Sequence, residues 1–292
     1  MPHPFPRRLI PRAAAILLAW VAVAGPAAAD RTDRIVSLGG AVTEILYDLG
    51  LQDRIVALDT TSVHPPAALA TKPNVGYLRQ LSAEGILSAR PTLVIAIDGS
   101  GPPDALKLVE EAGVPIVHVP DEPTEAGVGK RILAVASAVG RDDAGRTLAA
   151  EADTRFAALA EARRRIARPV KALFVLSLQN GRALVGGRNT TADGIFGLAG
   201  AQNAAADIEG FKPMTDEAIL AARPDAVVMM SIGPGGAPPA DLLSGAAFAG
   251  TPAARDKRLV VMNGLYLLGF GPRTPEAARD LMAALYPDLA PK

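Results

Sequence analysis

No cysteine occurs anywhere in the 292 residues, aromatic side chains make up only 4% of them, and there are three histidines and one tryptophan. Without a thiol there is no disulfide framework, no thiolate metal site, no cysteine nucleophile and no acceptor for an N-terminal lipid anchor. An excess of one charge sign is missing too: 30 Lys and Arg balance 30 Asp and Glu. Such a surface has no electrostatic footprint for nucleic acid or an anionic membrane. There is no Gly-x-Ser-x-Gly elbow, and Gly99-Ser-Gly101 runs into Pro102-Pro103 with no third glycine to cradle a pyrophosphate. A secreted α/β enzyme is accordingly the remotest reading.

Long apolar runs are few. The run Ala13 to Ala24 is twelve residues, short of the roughly 20 that span a bilayer. It follows Arg7, Arg8 and Arg12 and precedes Gly25-Pro26-Ala27-Ala28-Ala29, the layout of a secretory signal with cleavage expected after Ala29. Removing those 29 residues leaves 263, with 27 cationic side chains against 30 acids, no tryptophan, and only His64 and His118. Two histidines exclude a three-His zinc or manganese cage. The product is expected to be soluble in the periplasm, without a lipid anchor.

What remains alternates β-branched strands with amphipathic helices, as α/β layers do. Strands are expected at Arg34–Leu38, Ile55–Leu58, Leu93–Ile97 and Pro115–Val119, then at Ala172–Leu176, Ala226–Met230 and Leu259–Met262. Helices are expected at Ala41–Leu49, Ser82–Ala89, Asp104–Ala112, Thr191–Leu198, Thr215–Ala222 and Pro275–Tyr286. Residues 124–167 contain no proline and read as two helices broken near Gly140. The second runs from about Asp142 to Ile166, with acids at its start and Arg163, Arg164, Arg165 and Arg168 at its end, matching the helix dipole. At about 1.5 Å per residue it is roughly 37 Å long, enough to join two lobes. The expected fold is α/β: two Rossmann-like lobes, 30–140 and 169–292, joined by a long rigid interlobe helix over 141–168.

A repeat supports two lobes. Leu81-Ser-Ala-Glu84-Gly-Ile-Leu-Ser-Ala-Arg90-Pro91-Thr-Leu-Val94 aligns without gaps on Met214-Thr-Asp-Glu217-Ala-Ile-Leu-Ala-Ala-Arg223-Pro224-Asp-Ala-Val227. Each copy is a short helix N-capped by Ser82 or Thr215 and stopped where proline disfavours helix in the preceding arginine.

At these residues the chain resembles the substrate-binding proteins of ABC importers for haem, ferric siderophores and cobalamin, in which a rigid helix joins two lobes and the ligand lies between them. Asn74-Val-Gly-Tyr77-Leu-Arg79, Val185-Gly-Gly-Arg-Asn-Thr190 and Leu267-Leu-Gly-Phe-Gly-Pro-Arg-Thr-Pro275 resemble the periplasmic haem-binding branch. That resemblance implies a monomeric carrier serving an inner-membrane permease and its ATPase, with haem as cargo and Tyr77 as axial iron ligand. The chemistry agrees, because ferric iron is a hard acid that takes a phenolate. Arg79, two residues on, would project from the same side in extended backbone. His64 lies in a loop before Pro65-Pro66. Arg182, Arg188, Tyr266 and Arg273 are second-lobe ligand candidates near strand ends or Gly-rich loops. Met229-Met230 and His118, inside apolar strands, read as core. Glu84 and Glu217 match the positions that contact permease arginines, although a carboxylate in the first turn also favours the helix dipole. A ferric-siderophore or cobalamin binder is the same-fold alternative.

Overall fold

In the computed structural model, residues 32–179, 182–231 and 242–289, with Met1 and His3, are described; the rest of the expected signal and its cleavage point lie outside them. Strand β1 (Ile35–Leu38) leads into α1 (Gly40–Asp48), then β2 (Ile55–Leu58), α2 (Ala67–Thr71), α3 (Ala83–Ser88), β3 (Leu93–Ile97), α4 (Pro103–Glu111) and β4 (Ile116–Val119). These strands form an all-parallel sheet in the order β2-β1-β3-β4. Two helices follow, α5 (Glu125–Ala138) and α6 (Asp142–Arg163), broken by a left-handed Gly140 at φ 65°.

The second lobe runs β5 (Lys171–Gln179), β6 (Arg182–Gly186), α7 (Thr191–Leu198), β7 (Gln202–Asn203), β8 (Phe211–Met214), α8 (Asp216–Ala222), β9 (Ala226–Ser231), α9 (Pro252–Arg255), β10 (Leu259–Asn263), α10 (Gly264–Leu268) and α11 (Thr274–Leu285). Its sheet has the order β10-β9-β5-β6-β8, with β7 on β5. The antiparallel pairings of β5 with β6 and β6 with β8 are absent from the sequence reading. Val185-Gly-Gly reads as loop because two glycines hide a strand end; here they permit close packing, since a Cβ at Gly187 would strike the Ile208 backbone.

The central strands β1, β3 and β9 are covered on both faces, which is why they are apolar at nearly every position. Successive residues of β3 divide between cores: Leu93, Ile95 and Ile97 enter one cluster, Val94 and Ala96 another. Likewise Ala226 and Val228 of β9 face one side, Val227 and Met229 the other. The first of these clusters is continuous through both lobes, joining β1 and β3 to α5, α6, β5 and α11 through Phe156, Phe174 and Phe196.

The repeated units form as expected. The Ser82 hydroxyl accepts the Gly85 N–H at 3.0 Å and the Thr215 hydroxyl the Ala218 N–H at 3.3 Å. Arg90 and Arg223 both turn left-handed before their prolines, at φ 48° and 50°. Arginines then close helix C-termini, where unpaired carbonyls collect. Arg34 donates to the carbonyls of Ala89 and Arg90 after α3. Arg163 donates to those of Gly197 and Leu198, pinning the end of α6 to α7 of the second lobe.

Arg131 carries this furthest. Its side chain is 0% exposed, and every donor group is used: Nε to Pro120 O at 2.9 Å, Nη2 to Asp121 Oδ1 at 2.7 Å, and Nη1 to the carbonyls of Gly269 and Phe270 at 3.1 and 2.6 Å. The first two partners belong to the loop after β4 and the last two to the end of α10, so one guanidinium ties the lobes together. Phe270 holds φ 49° to present its carbonyl there. Arg131→Ala leaves a carboxylate and three carbonyls without their donor, and is expected to cost roughly 3 kcal/mol. Urea unfolding checks this, with the midpoint falling at unchanged m-value.

Candidate functional site

A cavity of about 300 Å³ lies between the carboxyl ends of the two sheets, the crevice where open α/β sheets bind ligands. From the first lobe it is lined by Gly39 and Gly40 after β1, Thr61, Val63 and His64 after β2, Asp98 after β3 and Asp121 after β4. A buried carboxylate knits these loops from behind. Asp59 accepts the Gly39 N–H at 2.7 Å, the Thr61 N–H at 2.8 Å and the Ser62 hydroxyl at 3.0 Å. Gly39, at φ 116°, and Gly40 are required at this wall, because a Cβ on either would overlap Ile97 or the Thr61 carbonyl.

Tyr77 stands on a loop that extends the sheet beside β2. Leu58 N–H reaches Pro73 O, Val75 N–H returns to Leu58 O, and Thr60 N–H reaches Gly76 O, all within 2.9 Å. Leu78 tucks against the core and its carbonyl takes the Gly101 N–H at 2.8 Å. The backbone is thus fastened on both sides while the Tyr77 side chain stays 43% exposed at the cavity. No protein group among the described residues bonds its hydroxyl. The extended backbone expected from Tyr77 to Arg79 does not occur: Gln80 N–H closes on Tyr77 O at 2.7 Å, making Leu78 and Arg79 the centre of a turn. Arg79 nonetheless lines the cavity, exposed and with no ion pair among the described residues.

The second-lobe wall is mostly apolar: Leu176, Phe211, Met230, Leu265 and Leu268. The expected pairing of Met229 with Met230 as core divides by strand alternation, Met229 packing inside and Met230 reaching the cavity. Phe211 and Val63, like Tyr77, are large apolar side chains left partly exposed here. Exposed apolar area on both walls marks a site for a largely apolar ligand.

The two walls meet at an ion pair. Glu44, 7% exposed on α1, accepts Arg273 Nη2 at 2.8 Å and the Arg273 backbone N–H at 3.2 Å. The Arg273 guanidinium lies 5.1 Å from the Tyr266 ring centroid, and the Tyr266 hydroxyl donates to Asp280 at 2.9 Å. Arg273 therefore lines the cavity in a fixed orientation, with Tyr266 behind it rather than on the wall. Gly271 lies against Ala41 and Glu44 at this junction. Burial, then the Arg273 charge, pulls the His64 imidazole below its ordinary value, opposed by Glu44. One turn along α1, burial and the Glu44 charge push Asp48 up to about 6, against Arg273 and Arg155.

Tyr77, Arg79, His64 and Arg273 thus come together. Arg182 and Arg188 line another surface: Arg182 is exposed within electrostatic reach of Glu217, and the backbone of Arg188 pairs with the 208–210 segment. The Val185–Thr190 motif serves geometry, ending in Thr190, which caps α7 by accepting the Asp193 N–H at 3.1 Å. Glu84 and Glu217 are exposed in the first turns of α3 and α8. Hydrogen bonds from its own N–H and from Thr215 hold the Glu217 carboxyl below the usual carboxylate range. His118 is corrected from core to surface. On edge strand β4 its side chain is 55% exposed, 3.9 Å from Asp98. Glu44, Asp98, Asp121 and Phe211 escape the sequence reading; a carboxylate in the middle of the apolar α1 stretch was the one available sign of Glu44.

A family model for periplasmic binding proteins matches residues 35–264. The chain belongs to the periplasmic binding protein family. Similar solved structures include the periplasmic haem-binding protein RhuT from Roseiflexus sp. RS-1 in apo form, 41% identical with a TM-score of 0.83, over 88% of this chain and 99% of that one. The periplasmic haem-binding protein BhuT in complex with two haems is 39% identical with a TM-score of 0.81, over 88% and 99%. An uncharacterised ABC transporter substrate-binding lipoprotein of Bacillus subtilis, YvrC, is 28% identical over 87% of this chain and 80% of its own length. No helix among the described residues is long and apolar enough to cross a membrane.

The raised Asp48 value carries a pH signature. Its contribution to stability is present below about pH 4, where both states are protonated, and is lost as pH rises through about 6. Asp48→Asn, which mimics the protonated form, is expected to stabilise by on the order of 1 kcal/mol at pH 7.5, allowing for partial solvent screening. Thermal melts should show that gain vanishing below about pH 4.

Proposed function

We propose that the protein is the periplasmic carrier of an ABC importer for ferric haem, clamping the macrocycle between its lobes with Tyr77 on the iron and handing it to an inner-membrane permease driven by its ATPase. The observation that carries this reading is a tyrosine whose hydroxyl has no partner among the described residues, on a loop fastened by backbone bonds, at a cleft with a mostly apolar second-lobe wall and two flanking arginines. The other tyrosines are otherwise occupied. Tyr47 packs on the core, the Tyr266 hydroxyl is held by Asp280, and that of Tyr286 joins the Val170 N–H to the Gly200 carbonyl.

On coordination the phenol proton passes to water and iron takes the phenolate oxygen. Ferric iron, a hard acid, favours phenolate oxygen, and Arg79 adds positive charge beside it. Arg79 and the pre-oriented Arg273 are the donors for the two carboxylates of haem, a pairing in which guanidinium geometry is favourable. His64, on the same wall, stays neutral and packs beside the ligand. The solved relatives named for haem binding support the ligand class. The chemistry asked of the chain is coordination and release, with no bond of the macrocycle broken. Cleavage after Ala29 and the lack of a cysteine anchor make the carrier freely diffusing. Glu84 and Glu217, one on each lobe in equivalent helix positions, are the contacts to permease arginines; exposed pairs of this kind orient more than they hold.

Titrating wild type and Tyr77→Ala with hemin, read by absorbance, tests the ligand. The wild type is expected to develop a Soret band shifted from free hemin, and Tyr77→Ala to lose that spectrum with at least about tenfold weaker binding. Preference for cobalamin or a ferric siderophore over hemin would remove the proposal. Glu84→Ala combined with Glu217→Ala should slow haem uptake by cells several-fold at unchanged hemin binding; undiminished uptake would remove the docking role.

A further inference from the structure

The two walls of the cleft are chemically unlike. The histidine, the tyrosine and the carboxylates that line it all belong to the first lobe, and the second lobe supplies Leu176, Phe211, Met230, Leu265 and Leu268, with Thr191 and Arg273 at its margin. A relative is known in complex with two haems, and a second iron needs a ligand of its own, of the kinds that hold haem iron in proteins: His, Tyr, Cys or Met.

The second lobe is short of all four. No histidine follows His118 and there is no cysteine. Its tyrosines are Tyr266 and Tyr286, both with hydroxyls engaged in hydrogen bonds away from the cavity wall. Burial, and for Tyr266 the bond to Asp280, push both phenols above the ordinary tyrosine range, against phenolate. The stretches of this lobe outside the described residues, 180–181, 232–241 and 290–292, contain no His, Tyr or Met. Among its methionines, Met214, Met229 and Met282 are buried, Met262 packs on the core, and Met230 alone among the described residues reaches the cavity. Its sulfur is fixed beside Gly264, where any side chain would meet it. A thioether is a soft donor, suited to packing on a flat conjugated ring and poorly matched to ferric iron.

Resting on haem as the ligand, we infer that the cleft takes a single macrocycle, its iron ligated on the Tyr77 side alone, with the opposite face lying on an apolar plate centred at Met230. The plate contributes contact area and excludes solvent, and the sixth coordination position receives no protein group. Met230 is thereby the second-lobe residue that faces the open coordination position.

Absorbance and electron paramagnetic resonance titrations of the full-length mature protein with hemin test this. Wild type is expected to saturate at about one equivalent with a high-spin ferric spectrum, and Met230→Leu, which keeps the apolar plate, to be spectroscopically silent. Met230→His is expected to gain a low-spin six-coordinate spectrum at unchanged stoichiometry, because imidazole now faces the open position. Saturation at two equivalents, a low-spin wild type, a changed spectrum in Met230→Leu, or a Met230→His that binds hemin yet stays high-spin would each overturn the inference while leaving haem as ligand. Wild type that takes up no hemin at all overturns the ligand itself and this inference with it.

Discussion

Everything at the cleft depends on one buried guanidinium. Arg131 donates to the carbonyls of Pro120, Gly269 and Phe270 and to the carboxylate of Asp121, and none of its surface reaches water. Leaving water is costly for a cation, and the cost is offset only where every donor is matched. Such matching is geometrically demanding, so the loop after β4 and the end of α10 are fixed relative to each other, and with them the two sheets whose carboxyl ends form the walls. Around it, the Glu44 and Arg273 pair, the cap from Arg163 onto α7, and Gly194, where a Cβ would strike the Pro123 carbonyl, hold the same relation of the lobes. The Leu267 to Pro275 stretch is therefore chiefly joinery: its carbonyls and its arginine face the first lobe, and only part of it touches the cavity.

The clamp is rigid where it must be and sparing where it need not be. On the first lobe, strand-like backbone bonds fix the Tyr77 loop while leaving its phenol unbonded, and the Asp59 knot holds the neighbouring loops in register. On the second, apolar side chains present a plain surface. A carrier has to release what it binds, and one directional bond set against a nondirectional plate gives specificity without demanding that many polar groups be rehydrated on release.

Much of this fold was legible residue by residue. Fully covered parallel strands must be apolar on both faces, which made β2, β3 and β9 readable; hydroxyl caps and the Arg-Pro stops located α3 and α8 within a residue. The antiparallel strands β6 and β8 were not legible: β6 follows β5 directly but ends in glycine, and β8 is interrupted by Pro213 and pairs with β6 far back along the chain. His118 misled for a related reason: β4 looks like a core strand locally, and only sheet order makes it an edge. The turn at Leu78 and Arg79 depends on a bond from Gln80 that no spacing rule encodes.

By itself the sequence determined the chemical inventory: no cysteine, three histidines, four tyrosines, and paired helix units that call for two lobes of α/β structure. Those follow from composition and local propensity, which act within a few residues. Which tyrosine has its hydroxyl unbonded at a cleft, which arginine is spent on joining the lobes and which faces the cavity, and that Met230 rather than Met229 lines it, only the tertiary structure decided. Each of these depends on partners far away along the chain, brought close by sheet order and by the desolvation cost that forces buried polar groups to find one another.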